Sequence, residues 1–199
     1  MTELELLDWK RRIFALYSRV RETTDHETAW KEWVATRDEL FRGHSQSPLP
    51  ADERVGFSGL GYFPFDPDVR VEAKLTQASA QSFELTTSGS ETMAFTRFAT
   101  AAFRLYGSEC TLDVYWLDAY GGGIFVPYKD ATSGHETYGA GRYLFDTVKG
   151  ADLGSTQDGL IFDFNFAYNP SCAYDPRWVC PLAPPPNHLE LEVRAGELS

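Results

Sequence analysis

Polar side chains that could perform chemistry are concentrated in two segments of the C-terminal half of the sequence. One segment is the loop 130–142, and the other runs from residue 163 through the loop 168–187. A guanidinium can clamp a carboxylate or a phosphate, while amides and hydroxyls can orient a small molecule by hydrogen bonds. We therefore expect a ligand site here, and its candidate residues are Arg142, Tyr138, Asp163, Asn165, Asn169, Cys172 and Asn187.

Arg142 is the strongest single candidate, because it starts a predicted strand between Gly141 and Tyr143. Its guanidinium could clamp an anionic ligand, or it could pair with Asp163 inside the protein, and we favour the internal pair. Buried polar groups without partners are costly. We therefore expect Arg142 to lie within hydrogen-bond or one-water reach of the segment 163–169.

Two catalytic arrangements stay open beside ligand binding. A nucleophilic Cys172 would need a base, and His135 or His188 would have to approach it in the fold. A carboxylate such as Asp163 could act in general acid–base catalysis. Either arrangement predicts a hydrolase-like enzyme, and spacing in the sequence cannot decide between them.

The cysteines and glycines favour neither a metal site nor a cofactor. Cys172 and Cys180 lie eight residues apart and form no Cys-x-x-Cys pair, so we expect no zinc. They could form a disulfide across this short loop, although two thiols are favoured in the cytoplasm. Gly139-Ala140-Gly141 lacks the third glycine of a dinucleotide-binding turn and precedes a strand, so we expect no nucleotide cofactor.

The segment 160–168 is the element that must position part of this site. Its alternation predicts a strand with aromatic side chains on one face and with Asp163 and Asn165 on the other. We expect this strand to be central, with its aromatic face in the core. The two polar residues would then face a polar cavity or water, or pin neighbouring loops by hydrogen bonds.

Period-two patterns begin at residue 69 and predict a sheet-rich domain. Connections between the segments are mostly short, which is typical of antiparallel strands. We expect an α+β, β-rich fold, in which about eight strands form an antiparallel barrel or sandwich. The predicted strands lie at about 69–76, 83–85, 93–105, 110–116, 124–128, 142–146, 160–168 and 189–195.

The first part of the chain, 1–43, predicts a helical hairpin that precedes the β-rich domain, 44–199. Apolar residues recur at spacings of three and four in both helices. Thr24-Asp25-His26-Glu27 has the pattern of a capping box, with Thr24 as the N-cap, and Gly43 stands where the second helix should end. The hairpin could cover the sheet, and the two domains would form one cooperative unit, or it could bind a second copy to give a homodimer.

Charge and hydropathy exclude several classes of partner. The chain has 199 residues and a net charge of −11, and it lacks the clustered Lys and Arg that nucleic acids and anionic membranes require. No apolar run has the length of a membrane span, and the acidic N-terminus does not resemble a signal peptide. We therefore expect a cytoplasmic protein that binds neither nucleic acid nor membrane.

Six blocks in the C-terminal half carry a resemblance to a known family, namely Asp130–Gly134, Thr137–Leu144, Asp163–Ala173, Cys180–Leu182, Pro185–Asn187 and Ala195–Glu197. They extend over about residues 124–197 and resemble the hallmark blocks of domain-of-unknown-function family 1684, a set of uncharacterised bacterial and archaeal proteins. The resemblance implies that the two polar loops belong together. It implies no reaction, because the family has no assigned activity.

Three functions are compatible with these observations. We favour a small-molecule-binding β-barrel module whose polar site lies at one end and takes an anionic ligand. The first alternative is a hydrolase-like enzyme that uses Asp163, Cys172 or a nearby histidine. The second is a structural or dimerising protein without a pocket.

Overall fold

The computed structural model describes residues 2–199 and confirms the α+β class. Two helices come first and an antiparallel sheet follows, with short 3-10 turns in the connections. The helices are α1 (Thr2–Glu22) and α2 (His26–Gly43), and the strands are β1 (Arg70–Thr86), β2 (Thr92–Leu105), β3 (Ser108–Leu117), β4 (Ile124–Tyr128), β5 (Arg142–Asp146) and β6 (Gly159–Asp163).

The six strands form one curled sheet in the order β5-β4-β3-β2-β1-β6. The curl brings the β5 edge back toward the segment that follows β6. There Tyr143 and Tyr168 exchange two backbone hydrogen bonds, with N···O distances of 2.9 and 3.2 Å. The sheet is therefore a half-barrel whose two edges are joined at one bridge.

The strand count is six within residues 2–199, and the expectation of about eight is wrong for two reasons. The predicted strands at 69–76 and 83–85 are one strand, β1, whose register with β2 shifts between Gln77 and Gln81. The predicted strand at 189–195 does not form, although Val193 and Ala195 are completely buried. Burial there comes from an irregular segment that packs on the sheet, so its apolar residues resembled a strand pattern.

The expectation of a central strand at 160–168 is also wrong, because β6 is an edge strand that pairs with β1. It ends at Asp163, whose carboxylate accepts a hydrogen bond from the Asn165 backbone N at 3.1 Å and caps a 3-10 turn. A local side-chain bond of this kind competes with the ladder of a sheet. The aromatic residues are nevertheless in the core, as expected, since Phe164 is completely buried.

The helical hairpin shares a core with the sheet. Leu16 and Trp33 are completely buried, and the Trp33 ring packs edge-to-face on Phe166 at 5.4 Å. The N-cap of α2 is Asp25 rather than Thr24, because the Asp25 carboxylate accepts from the Thr28 backbone N. No helix within residues 2–199 has the length and apolarity needed to cross a membrane.

Candidate functional site

Arg142 lies in a buried network that ties the C-terminal segment to the β4–β5 connection. Its Nη2 donates to the Val193 carbonyl at 3.0 Å and lies 3.4 Å from the Asp130 carboxylate, while its Nη1 donates to the carbonyls of Ala195 and Glu197. The Asp130 carboxylate also accepts from the Val193 backbone N at 2.7 Å. Arg142 is completely buried and both of its terminal nitrogens bond to the protein, while its buried Nε has no hydrogen-bond partner within residues 2–199.

The expected pairing of Arg142 with Asp163 is wrong. The register of β4 and β5 pairs Tyr128 with Arg142, which places Asp130, two residues further on, beside the guanidinium. Asp163 instead lies 3.7 Å from the guanidinium of Arg70. Contact with the segment 163–169 is made by the neighbouring residue, Tyr143, through its backbone bonds to Tyr168.

Asp163 and Asn165 pin a distant loop, which is one of the two roles expected for them. The Asn165 side chain accepts from the Asp66 backbone N at 2.9 Å and donates to the Asp66 carbonyl at 2.7 Å. Its Nδ2 also donates to the Asp163 carboxylate at 2.9 Å. Burial raises the pKa of Asp163, and the hydrogen bonds from Asn165 oppose that rise.

The Asn187 side chain bridges β3 and β4 beyond the point where their backbone pairing ends. The backbone ladder between β3 and β4 contains two residue pairs, Tyr115 with Phe125 and Trp116 with Ile124. Further along, the Asn187 side chain accepts from the Asp113 backbone N at 3.0 Å and donates to the Pro127 carbonyl at 2.7 Å. A side-chain amide has the donor and acceptor of a backbone unit, so it can bridge strands that have separated.

Tyr138 and Cys172 meet each other, with a distance of 3.7 Å between the tyrosine oxygen and the sulfur. The side chains of Cys180, Ser88 and Tyr138 lower the pKa of Cys172. Neither expected base is among these groups, and both His135 and His188 are exposed. Within residues 2–199, no three His, Cys, Asp or Glu side chains are grouped as metal ligands.

An apolar cleft of about 470 Å³ lies between α1 and the sheet. Its walls come from α1, the start of β2, the β3–β4 connection and the loop 178–181. Lys10 and Lys149 are the cations on its lining, and Asp146 is the carboxylate. A volume of roughly 300–1,000 Å³ with mostly apolar walls is typical of small-molecule sites.

A second cavity, of about 70 Å³, adjoins this cleft, and the two share Trp9, Pro48, Lys149 and Ser171 in their linings. Arg37 lies at this cavity with its guanidinium carbon 4.8 Å above the Trp33 ring. Its Nε donates to the Tyr62 oxygen at 3.0 Å and its Nη2 to the Glu197 carboxylate at 2.7 Å. Its Nη1 has no hydrogen-bond partner among residues 2–199.

Asn169 supplies an acceptor at the same small cavity. Its Nδ2 donates to the Leu198 carbonyl at 2.7 Å, and its backbone N donates to the Glu197 carboxylate at 3.0 Å. Its Oδ1 is buried and has no partner within the described chain, residues 2–199. Arg37 Nη2 and the Asn169 backbone N donate to the same Glu197 oxygen, and both residues line this small cavity.

Burial raises the pKa values of the two carboxyl groups near the cavities, Glu197 and Asp146. Burial raises the pKa of Glu197, while the Arg37 guanidinium and hydrogen bonds from Tyr174 and Asn169 oppose the rise. Burial likewise raises the pKa of Asp146, which faces Lys149. Arg37 Nη2 and the Glu197 carboxylate form a buried salt bridge at 2.7 Å, and Lys10 and Lys149 add positive charge at the cleft.

Of the seven candidate residues, Asn169 is the one that lines either of these two cavities, and the other residues of its cavity were not among the candidates. Arg37 carried the clearest signal, because it occupies a position on the apolar stripe of α2. A charged residue at a core position of an amphipathic helix needs a buried partner. The sequence does not reveal that this partner is Glu197, at the opposite end of the chain.

Comparison with known proteins identifies the family. A family model described as a protein of unknown function, DUF1684, matches residues 55–198. The chain belongs to the DUF1684 family. An uncharacterised protein of Haloarcula marismortui, solved by solution NMR, is 38% identical to this DUF1684 chain and covers 90% of it and 97% of its own length, with a TM-score of 0.65. No curated protein matches the chain.

Proposed function

We propose that this DUF1684 protein binds a small amphipathic molecule that has a carboxyl head and an apolar body. The observation that carries the proposal is the junction of the two cavities: an apolar cleft of about 470 Å³ adjoins a small cavity whose lining includes Asn169, and the side-chain oxygen of Asn169 is buried without a partner within residues 2–199. A buried acceptor without a partner is costly, so a ligand that supplies a donor there gains free energy.

The head group follows from the polar atoms that are free. Arg37 Nη1 offers a donor and Asn169 Oδ1 offers an acceptor, and a carboxyl group in its protonated form matches both. The small cavity has room for it, since a single water needs only about 10–15 Å³.

Binding can be tested with three probes of one chain length, namely decanoate, decanol and decyltrimethylammonium. A ligand that binds only the folded state raises its stability by mass action. We expect decanoate to raise the melting temperature most, decanol less, and the cation least. An equal effect of all three, or none with decanoate, would contradict a carboxyl-specific site.

A matched pair of variants on α1 separates cleft binding from general surface effects. Leu6 lines the cleft and is 44% exposed, whereas Leu7 is 41% exposed and is not part of its lining. We expect Leu6→Glu to weaken decanoate binding at least tenfold, because it places a charged carboxylate in the apolar wall that the ligand's apolar body would contact, while Leu7→Glu leaves it unchanged. Calorimetric titration of both variants measures the difference.

A homodimer through α1 is a second candidate role, favoured by the apolar side chains of Leu4, Leu7 and Phe14, which are 60%, 41% and 49% exposed. The same two variants test this role with the opposite expected result, since Leu7→Glu would dissociate the dimer and Leu6→Glu would not. Light scattering of the purified protein gives the mass.

We also propose a cytoplasmic location, in which the three free cysteines would stay reduced.

A further inference from the structure

One wall of the cleft comes from the segment 44–49, which follows α2 and has no regular secondary structure. Gln46 and Pro48 of this wall segment line the cleft, and Pro48 also lines the small cavity. Side chains from elsewhere hold its backbone: the Arg54 guanidinium donates to three of its carbonyls at 3.0 to 3.3 Å, and the Trp178 indole N–H donates to the Pro48 carbonyl at 3.3 Å. A segment without a backbone ladder opens more readily than a helix or a strand.

His44 joins the wall segment to both helices. Its backbone N donates to the Leu40 carbonyl at 3.0 Å at the end of α2. Its side chain is 10% exposed and packs edge-to-face at 5.2 Å from the ring of Trp9, which lines both cavities. Its Nε2 lies 3.2 Å from the Asp8 carboxylate of α1. A change in the state of this ring therefore acts directly on the wall segment.

The hydrogen bonds of the His44 ring show which nitrogen carries the proton. The Gln46 backbone N–H donates to Nδ1 at 3.0 Å, and a backbone N–H can only donate, so Nδ1 is an acceptor without a proton. Nε2 is then the protonated nitrogen and donates to Asp8. A second proton has to enter at Nδ1, where it meets the Gln46 N–H. The amide then loses its acceptor.

The charged groups around the ring come from both helices and from the segment that follows. On α1, the Asp8 carboxylate is 51% exposed and also pairs with the Arg12 Nε at 2.9 Å. On α2, Glu39 lies 3.4 Å from the same arginine. Arg54 contacts the His44 carbonyl at 3.0 Å. An exposed carboxylate that is shared with an arginine attracts an imidazolium weakly, and this attraction does not restore the acceptor that the Gln46 amide loses.

We propose that His44 makes the cleft sensitive to pH: the neutral ring fixes the wall segment through the Gln46 N–H, and the protonated ring frees it. Histidine changes its charge between about pH 5 and 8, the range in which histidine switches operate. A freed wall must be ordered again when a molecule binds, so affinity in the cleft should be lower in acid than at neutral pH. The statement about affinity rests on the proposed function, whereas the change in the wall does not.

His44→Asn is the matched control variant. The side-chain oxygen of asparagine accepts from the backbone N–H two residues further on, so it preserves the bond to Gln46 and does not titrate. In the original chain, the protection of the Gln46 amide against hydrogen exchange should fall about fivefold from pH 8 to pH 5.5, in step with the NMR titration of the His44 ring. In His44→Asn this protection should stay constant. Other groups near the cavities titrate in both proteins, so the difference between them isolates His44.

Decanol is the probe for affinity, because it carries no charge over this range of pH. Its dissociation constant should rise about threefold from pH 8 to pH 5.5 in the original chain and stay constant in His44→Asn. The proposal is overturned if Gln46 protection does not follow the His44 titration, or if His44→Asn has the same pH dependence as the original chain. Constant decanol affinity beside falling protection would overturn the link to the cleft. If decanol binds at no pH, the proposed ligand is wrong, and the exchange of Gln46 alone decides the switch.

Discussion

Arg142 and Arg37 are both buried and both face a carboxylate, and each leaves one guanidinium nitrogen without a partner within residues 2–199. In Arg142 both terminal nitrogens donate to three carbonyls and Asp130, and the buried Nε is unpartnered. In Arg37 the unpartnered nitrogen is Nη1, and this residue lines the small cavity together with Asn169, whose Oδ1 is also unpartnered. The comparison teaches that an unpartnered buried group marks a candidate site only where a cavity adjoins the residue that carries it.

The same contrast separates two asparagines four residues apart. Asn165 satisfies its side chain completely with Asp66 and Asp163, whereas Asn169 leaves Oδ1 without a partner within residues 2–199. Both are almost completely buried and belong to one sequence block. Their substitutions should therefore act on different properties of the protein.

The largest effect is expected for Arg142→Met, which leaves the Asp130 carboxylate and three carbonyls without their buried donor. The free energy of unfolding should fall by about 3–5 kcal/mol, since breaking a buried ion pair from one side leaves an uncompensated charge. Urea unfolding measures the loss, and Arg142→Lys, which retains the charge, should lose less. A loss below about 1 kcal/mol, typical of exposed pairs, would show that the network is not a structural anchor.

Asn165→Ala should have the next largest effect, with a loss of about 2–4 kcal/mol for three side-chain hydrogen bonds at roughly 0.5–1.5 kcal/mol each. Ligand affinity in the cleft should not change, because Asn165 lines neither cavity. Equilibrium unfolding and decanoate titration on the same preparation measure both properties. Hydrogen exchange should also increase around Asp66, which Asn165 holds.

Asn169→Ala should weaken ligand binding and reduce stability only slightly, in contrast to Asn165→Ala. It removes one satisfied bond, to the Leu198 carbonyl, and its loss of stability should stay at about 0.5–1.5 kcal/mol. Decanoate affinity should fall about tenfold, which corresponds to about 1.4 kcal/mol. If Asn165→Ala and Asn169→Ala changed affinity equally, the distinction between the two asparagines would be lost.

The smallest effect concerns the pH dependence of stability at Asp146, on the cleft lining. Burial raises its pKa in the folded state above the unfolded value of about 3.9. The stability that this group contributes is present below about pH 3.9 and is lost as the pH rises through the raised pKa. Asp146→Asn lacks this loss, so the variant should gain stability relative to the original chain between pH 4 and 7, as measured by urea melts. A constant difference across that range would contradict a raised pKa.

One unfolding transition should describe all of these melts, because Leu16 and Trp33 of the helical hairpin pack in the same core as Phe162 and Phe164 of the β-rich part. The boundary between 1–43 and 44–199 would then separate secondary-structure types rather than folding units. Two transitions at different urea concentrations would instead assign the hairpin an independent stability.

Much of the fold followed from local patterns. Apolar spacing located both helices, and alternation or short apolar runs located every strand that forms, because helical and extended patterns depend on neighbouring residues. The strand predictions were wrong where a side-chain hydrogen bond or tertiary packing outweighed the local sequence pattern. Asp163 caps a turn and ends β6 early, and the apolar residues at 189–195 are buried without pairing in a strand.

The sequence by itself determined the class of fold, the family blocks and the concentration of polar residues in two segments. Only the tertiary structure decided which of those residues are committed to the protein and which are free. Arg37 and Glu197 are 160 positions apart, and Asn165 and Asp66 are 99 apart. The path of the whole chain determines which groups become hydrogen-bond partners at such separations. A local sequence pattern therefore cannot distinguish an amide whose hydrogen bonds are all made from one that has an unpartnered atom.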